Sequence, residues 1–124
     1  MKSYKKFGIG ILMIGILTLV VSVGADGKVR KVEAEEYEIV LEKNKGTYDI
    51  TTIGKSGYHC NIMYPWKIVV RGQSGKEKTY KKNDAKTFGE KGVSFQVIGK
   101  EATLKLSVCN DKQCVMKTEK LKLD

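Results

Sequence analysis

At 124 residues, with 23 Lys and Arg against 14 Asp and Glu, the chain has room for one small domain and carries a formal net charge of +9. Only two of its cations are arginines, Arg30 and Arg71, which argues against a nucleic-acid surface. His59 is the single histidine and has no evident Ser and Asp context. With no phosphate-binding glycine loop and no conspicuous carboxylate pair, the composition also argues against hydrolysis and phosphoryl transfer.

The amino terminus reads as an export signal. Lys2, Lys5 and Lys6 form a basic start, Phe7 to Val23 contains no charge, and Val23-Gly24-Ala25 offers the small residues of a cleavage site after Ala25. The apolar run also reaches the roughly 17-residue lower limit for a bilayer span, so an uncleaved anchor is the alternative. Either way the following domain is expected outside the membrane, periplasmic or secreted, touching lipid only through residues 7–23. Loss of the three leading lysines would bring the charge to about +6. Residues 26–35 are polar, lack an apolar period and read as a linker.

From residue 36 onward the periodicity is that of strands. Tyr37, Ile39 and Leu41 alternate with Glu36, Glu38 and Glu42; Tyr48, Ile50 and Thr52 follow a turn at Asn44-Lys45-Gly46. After the interruptions at Gly54 and Gly57, His59–Met63 is a short candidate strand. Trp66, Ile68 and Val70 form a clear run closed by Arg71-Gly72-Gln73-Ser74-Gly75. Residues 76–92 show no period and hold Lys76, Lys78, Lys81, Lys82 and Lys86, which suit either an acidic partner or a solvated loop that blunts a sheet edge. Val93, Phe95 and Val97 resume the alternation, and Ala102, Leu104, Leu106 and Val108 make the strongest strand. A last run, Cys114–Leu123, returns after a four-residue loop. No sustained helical period occurs in the domain. The expectation is an all-β, antiparallel β-sandwich of about seven short strands over residues 36–124, of the immunoglobulin-like kind.

Three cysteines, Cys60, Cys109 and Cys114, lie beyond the leader. Cys109 and Cys114 flank the last hairpin loop and are the natural disulfide pair for an exported chain. Pairing them directly sets Val108 against Val115, but also Leu106 against Lys117 and Leu104 against Glu119. An apolar–charged mismatch of that kind needs a bulge or an exposed edge. Because the core positions of this strand are even, both sulfurs are expected on the outward, accessible face. Two uses fit: an inert staple closing a six-residue ring, worth about 2 kcal/mol, or a redox pair with Lys112 favouring and Asp111 opposing a thiolate.

The segment Leu106–Met116, LSVCNDKQCVM, resembles the cysteine hairpin of the amino-terminal periplasmic domain of the thiol:disulfide interchange protein DsbD and of the exported disulfide bond corrector domains. Gly57–Lys67, GYHCNIMYPWK, is similar to an upstream element of that family, an aromatic or His near an Asn and then a Pro. The resemblance implies an immunoglobulin-like sandwich in which Cys109 and Cys114 exchange electrons with a thioredoxin-like or other exported protein docking at the hairpin. His59 and the aromatic residues Tyr64 and Trp66 would shape the approach. The chain departs from the family in having Val115-Met116 where a proline is frequent after the second cysteine, in lacking the family's membrane and thioredoxin-like domains, and in carrying Cys60.

Other chemistry is less favoured by the residues. His59 and Cys60 with the cysteine pair have the residue types of a zinc site, but neighbours on a strand face opposite ways, so they are expected not to share a metal. Cys60 reads as a small buried hydrophobe and Trp66 as a core residue in line with Ile68 and Val70. No cofactor is expected.

Overall fold

The computed structural model describes residues 19–23 and 29–123. Residues 1–18 and 24–28, which hold most of the expected leader or anchor and its cleavage site, lie outside the described residues. The end of the apolar run, β1 (Leu19–Val23), pairs antiparallel with β2 (Val29–Glu33).

The chain then continues through β3 (Tyr37–Asn44), β4 (Thr47–Gly54), β5 (His59–Cys60), β6 (Lys67–Arg71), β7 (Glu77–Lys81), β8 (Thr87–Gly89), β9 (Gly92–Val97), β10 (Glu101–Cys109) and β11 (Cys114–Lys122). One sheet runs β1-β2-β3-β4-β9-β8 and the other β11-β10-β6-β7, with β5 joining β10 beyond the end of β6. All pairings are antiparallel. The order β3-β4-β9-β8 against β11-β10-β6-β7 is the A-B-E-D and G-F-C-C′ arrangement of the immunoglobulin sandwich, with β1 and β2 widening the first sheet.

The period-2 positions form the core. Tyr37, Ile39 and Leu41 of β3, Tyr48, Ile50 and Thr52 of β4, and Val93, Phe95 and Val97 of β9 are buried against Ile68 and Val70 of β6 and Ala102, Leu104, Leu106 and Val108 of β10. Trp66 enters the core just before β6, in the place an immunoglobulin domain gives its inter-sheet tryptophan, and meets the edge of Phe88 at 6.4 Å. Lys45 and Gly46 both have positive φ, 53° and 87°, which gives the β3–β4 hairpin a tight primed turn.

Three stretches differ from the expectation of about seven strands. Residues 26–35 contribute β2, whose Val32 is buried. The lysine-rich region forms β7, a 3-10 turn at Lys82–Asp84 and β8. In β7 only Tyr80 is even half-buried, so an edge strand with wet faces left no apolar alternation to read. His59–Met63 shortens to the two residues of β5, because Asn61 turns the chain.

The mismatch in the last hairpin resolves as an exposed edge. β10 and β11 pair without interruption over nine positions, with Leu106 opposite Lys117 and Leu104 opposite Glu119. β11 is the outer strand, so Lys117 reaches water. Glu119 instead accepts a hydrogen bond from the Tyr37 hydroxyl across the open edge of the sandwich. Burial is the main reason the Tyr37 phenol is held far above its ordinary value, reinforced by the carboxylate of Glu119. On the same edge Arg30 donates to the carbonyls of Lys122 and Leu123, at 2.7 and 3.2 Å. These contacts tie β2 and β3 to the carboxy-terminal strand.

Candidate functional site

The cysteine hairpin sits at one end of the sandwich, where β10 turns into β11. Asn110 builds the turn. Its amide donates to the Gln113 carbonyl at 2.8 Å, and its Oδ1 accepts the amides of Lys112 and Gln113 at 2.9 and 2.8 Å. Such side-chain capping of a loop by Asn holds the flanking residues in register. Cys109 and Cys114 are directly opposed, Cα atoms 4.0 Å apart, and form a disulfide.

The two sulfurs are not equivalent. Cys114 is exposed, whereas Cys109 is 8 % exposed. This corrects the expectation that both would lie open on the outward face. Cys109 lies on an inner strand, flanked by β11 on one side and by β5 on the other, whereas Cys114 lies on the outer strand. β5 pairs beside β10 at Val108 and Cys109, and Asn61 then closes over Ser107: its amide donates to the Ser107 carbonyl at 2.9 Å and its Nδ2 reaches Ser107 Oγ at 3.3 Å. The Asn61 carbonyl in turn accepts Trp66 Nε1 at 2.7 Å. Ser107, an odd-numbered position, is fully buried as a result. Gln113 Nε2 donates to the Tyr58 hydroxyl at 2.7 Å, which fastens the hairpin loop to the residue before β5.

β5 places His59 directly opposite Cys109. Residues so paired share a face, with Cβ atoms about 4.5–5.5 Å apart. Across three strands the order is therefore Cys114, Cys109, His59, with both outer members exposed. Gly54 makes this placement possible, because a Cβ there would overlap the carbonyl of Tyr58. Cys60 faces the other way, fully buried, its thiol 3.4 Å from the Thr52 carbonyl. Burial pushes its thiol up from 9.0 to about 11, so it is a packed, unreactive group.

Of the remaining expected residues, Asp111 and Lys112 are exposed at the tip. Tyr64 is half-buried, and Trp66 is buried rather than displayed. The opposed directions of His59 and Cys60 fit the expectation for adjacent strand residues. No group of three or more His, Cys, Asp or Glu side chains capable of holding a metal ion occurs among the described residues. Tyr58 and Ser107 escaped sequence reasoning, and Asn61 entered it only as the Asn of the Gly57–Lys67 segment. Its one other signal was its place between Cys60 and Pro65 in a segment without apolar alternation.

Comparison with known proteins found no matching family model, no matching curated protein and no matching solved structure.

Proposed function

We propose that the domain is an exported thiol–disulfide exchange module in which Cys109 and Cys114 cycle between disulfide and dithiol. The observation that carries this reading is the unequal exposure of the pair, with Cys114 open at the tip and Cys109 sheltered between Cys114 and His59. The resemblance of Leu106–Met116 to the DsbD hairpin points the same way.

Exchange requires in-line attack of a thiolate on one accessible sulfur. The thiolate of an exported dithiol protein attacks Cys114 Sγ, a mixed disulfide forms, and the Cys109–Cys114 bond breaks. The electron pair leaves on Cys109, which takes a proton from His59 or solvent. The partner's second thiolate then attacks its own sulfur of the mixed disulfide and releases Cys114 as the thiolate. The partner is oxidised and the hairpin reduced by two electrons, and the same steps run in reverse when the partner arrives as a disulfide.

A short ring held by Asn110 and flanked on one side by β5 also fits an inert staple, and exchange chemistry separates the two. The oxidised chain is incubated with a reduced thioredoxin-like protein and the thiols are trapped by acid and alkylation. The proposal expects Cys109 and Cys114 to become reduced with the domain still folded, and the partner to become oxidised in equal amount. A hairpin that stays oxidised while free dithiothreitol reduces it only after unfolding would identify a staple.

A further inference from the structure

The outer face of the β11-β10-β6-β7 sheet carries two rows of charge that follow opposite rules. In one, Glu101, Arg71 and Glu77 are consecutive cross-strand partners. Arg71 lies 3.5 Å from both carboxylates, so this row neutralises itself. Four positions along each strand, the corresponding row is Lys105, Lys67 and Lys81. Three ammonium groups stand side by side on neighbouring strands, and no carboxylate lies within ion-pair distance of any of them among the described residues. The nearby Asp84 carboxylate accepts the backbone amide of Lys81 at 2.9 Å.

Directly opposed like charges are destabilising in a sheet, yet here three are stacked with no internal counter-charge. They also converge on a concavity. Lys67, Lys81 and Lys105 line a groove of about 300 Å³ whose remaining wall is Tyr64, Pro65 and Trp66. Lys67 is half-buried, so part of its solvation is already lost. Trp66 Nε1 is engaged by the Asn61 carbonyl, which leaves the Tyr64 hydroxyl as the neutral donor of the lining.

We propose that this groove binds an oxyanion of the phosphate class, with Lys67, Lys81 and Lys105 supplying the charge and Tyr64 a hydrogen bond. Three convergent ammonium groups match a compact, multiply charged anion better than a single carboxylate. The site is independent of the cysteine chemistry, although the Tyr64 amide is bonded to the carbonyl of Asn61, the residue that follows β5. A free or monoester phosphate and the phosphodiester of a lipid headgroup share this chemistry.

The test uses the full chain and calorimetric titration with two probes, inorganic pyrophosphate and glycerophosphoglycerol, the soluble headgroup of an anionic lipid. The paired variant Lys67→Gln/Lys105→Gln is compared with Lys120→Gln/Lys122→Gln, which removes the same charge from the edge strand. The expected result is binding that weakens at least about tenfold in the first variant and less than about twofold in the second. Tighter binding of pyrophosphate assigns the site to a free or monoester phosphate, and tighter binding of the diester to a headgroup. In low-salt buffer without phosphate, the Lys67→Gln/Lys105→Gln chain should melt above the unsubstituted one, because a repulsion has been removed. Absence of binding by both probes, or equal losses in the two variants, would overturn the proposal.

Discussion

Serine at Cys109 is expected to leave one exposed, reactive thiol that traps a partner as a stable mixed disulfide, whereas serine at Cys114 should leave a thiol that reacts at least about tenfold more slowly. The difference follows from burial rather than from sequence position. Cys114 lies on the outer strand with its residue open to water, while Cys109 is buried on the inner strand between β11 and β5, the latter held by the bonds of Asn61 to Ser107. An attacking sulfur needs a clear approach along the disulfide axis, and of the two residues only Cys114 is exposed. In Cys109→Ser no second hairpin thiol remains to resolve the mixed disulfide, so it accumulates. Alkylation rates of the two variants in native buffer check this, with buried Cys60 as the slow internal reference. Equal rates, or a faster Cys109, would remove the structural basis for placing the attack at Cys114.

The largest stability change is expected at Trp66. Its side chain is buried between the sheets, contacts Phe88 edge-on, and holds the Asn61 carbonyl through Nε1 at 2.7 Å. Truncating a buried Trp to Ala costs about 3–5 kcal/mol, a large share of the roughly 5–15 kcal/mol that stabilises a domain of this size. Trp66→Phe keeps most of the apolar volume and loses the Nε1 bond, so a smaller cost of about 1–2 kcal/mol is expected. The two variants separate packing from anchoring. Urea unfolding should show the large loss only in Trp66→Ala, while the reduced Trp66→Phe chain should already alkylate faster at Cys109, because Asn61, which follows β5, has lost a tether. A loss below about 1 kcal/mol in Trp66→Ala would contradict its place in the core.

Much of this framework was legible from alternation alone. The even positions of β10, the run from Trp66 to Val70 and the triplets Tyr48/Ile50/Thr52 and Val93/Phe95/Val97 all bury the side they were expected to bury. These strands each have one face on a core, and a period of two records that. The hairpin pairing was legible for the same reason, down to the mismatch of Lys117 and Glu119 with their partners, which an outer strand tolerates. What alternation does not record is burial supplied from a distance. Ser107 and Cys109 are odd positions, outward by period, yet both are buried where a segment more than forty residues earlier pairs beside β10 and sets Asn61 against Ser107. β7 and β8 lie at sheet edges where little is buried, so their periods are weak. Lys67, Lys81 and Lys105 form a row only once register brings three distant strands together, whereas the lysines that crowd residues 76–86 in sequence are divided among an edge strand, a turn and a loop.

The exchange reading concerns one bond, and its reduction potential tests it most directly. The chain is equilibrated in glutathione buffers of graded ratio, its thiols are alkylated, and the oxidised fraction of the Cys109–Cys114 pair is plotted against buffer potential. A working exchange module is expected between about −120 and −270 mV, the span of proteins that pass disulfides to one another. A value below about −300 mV would mark a bond that cellular thiols do not open, and would leave the hairpin as a structural staple.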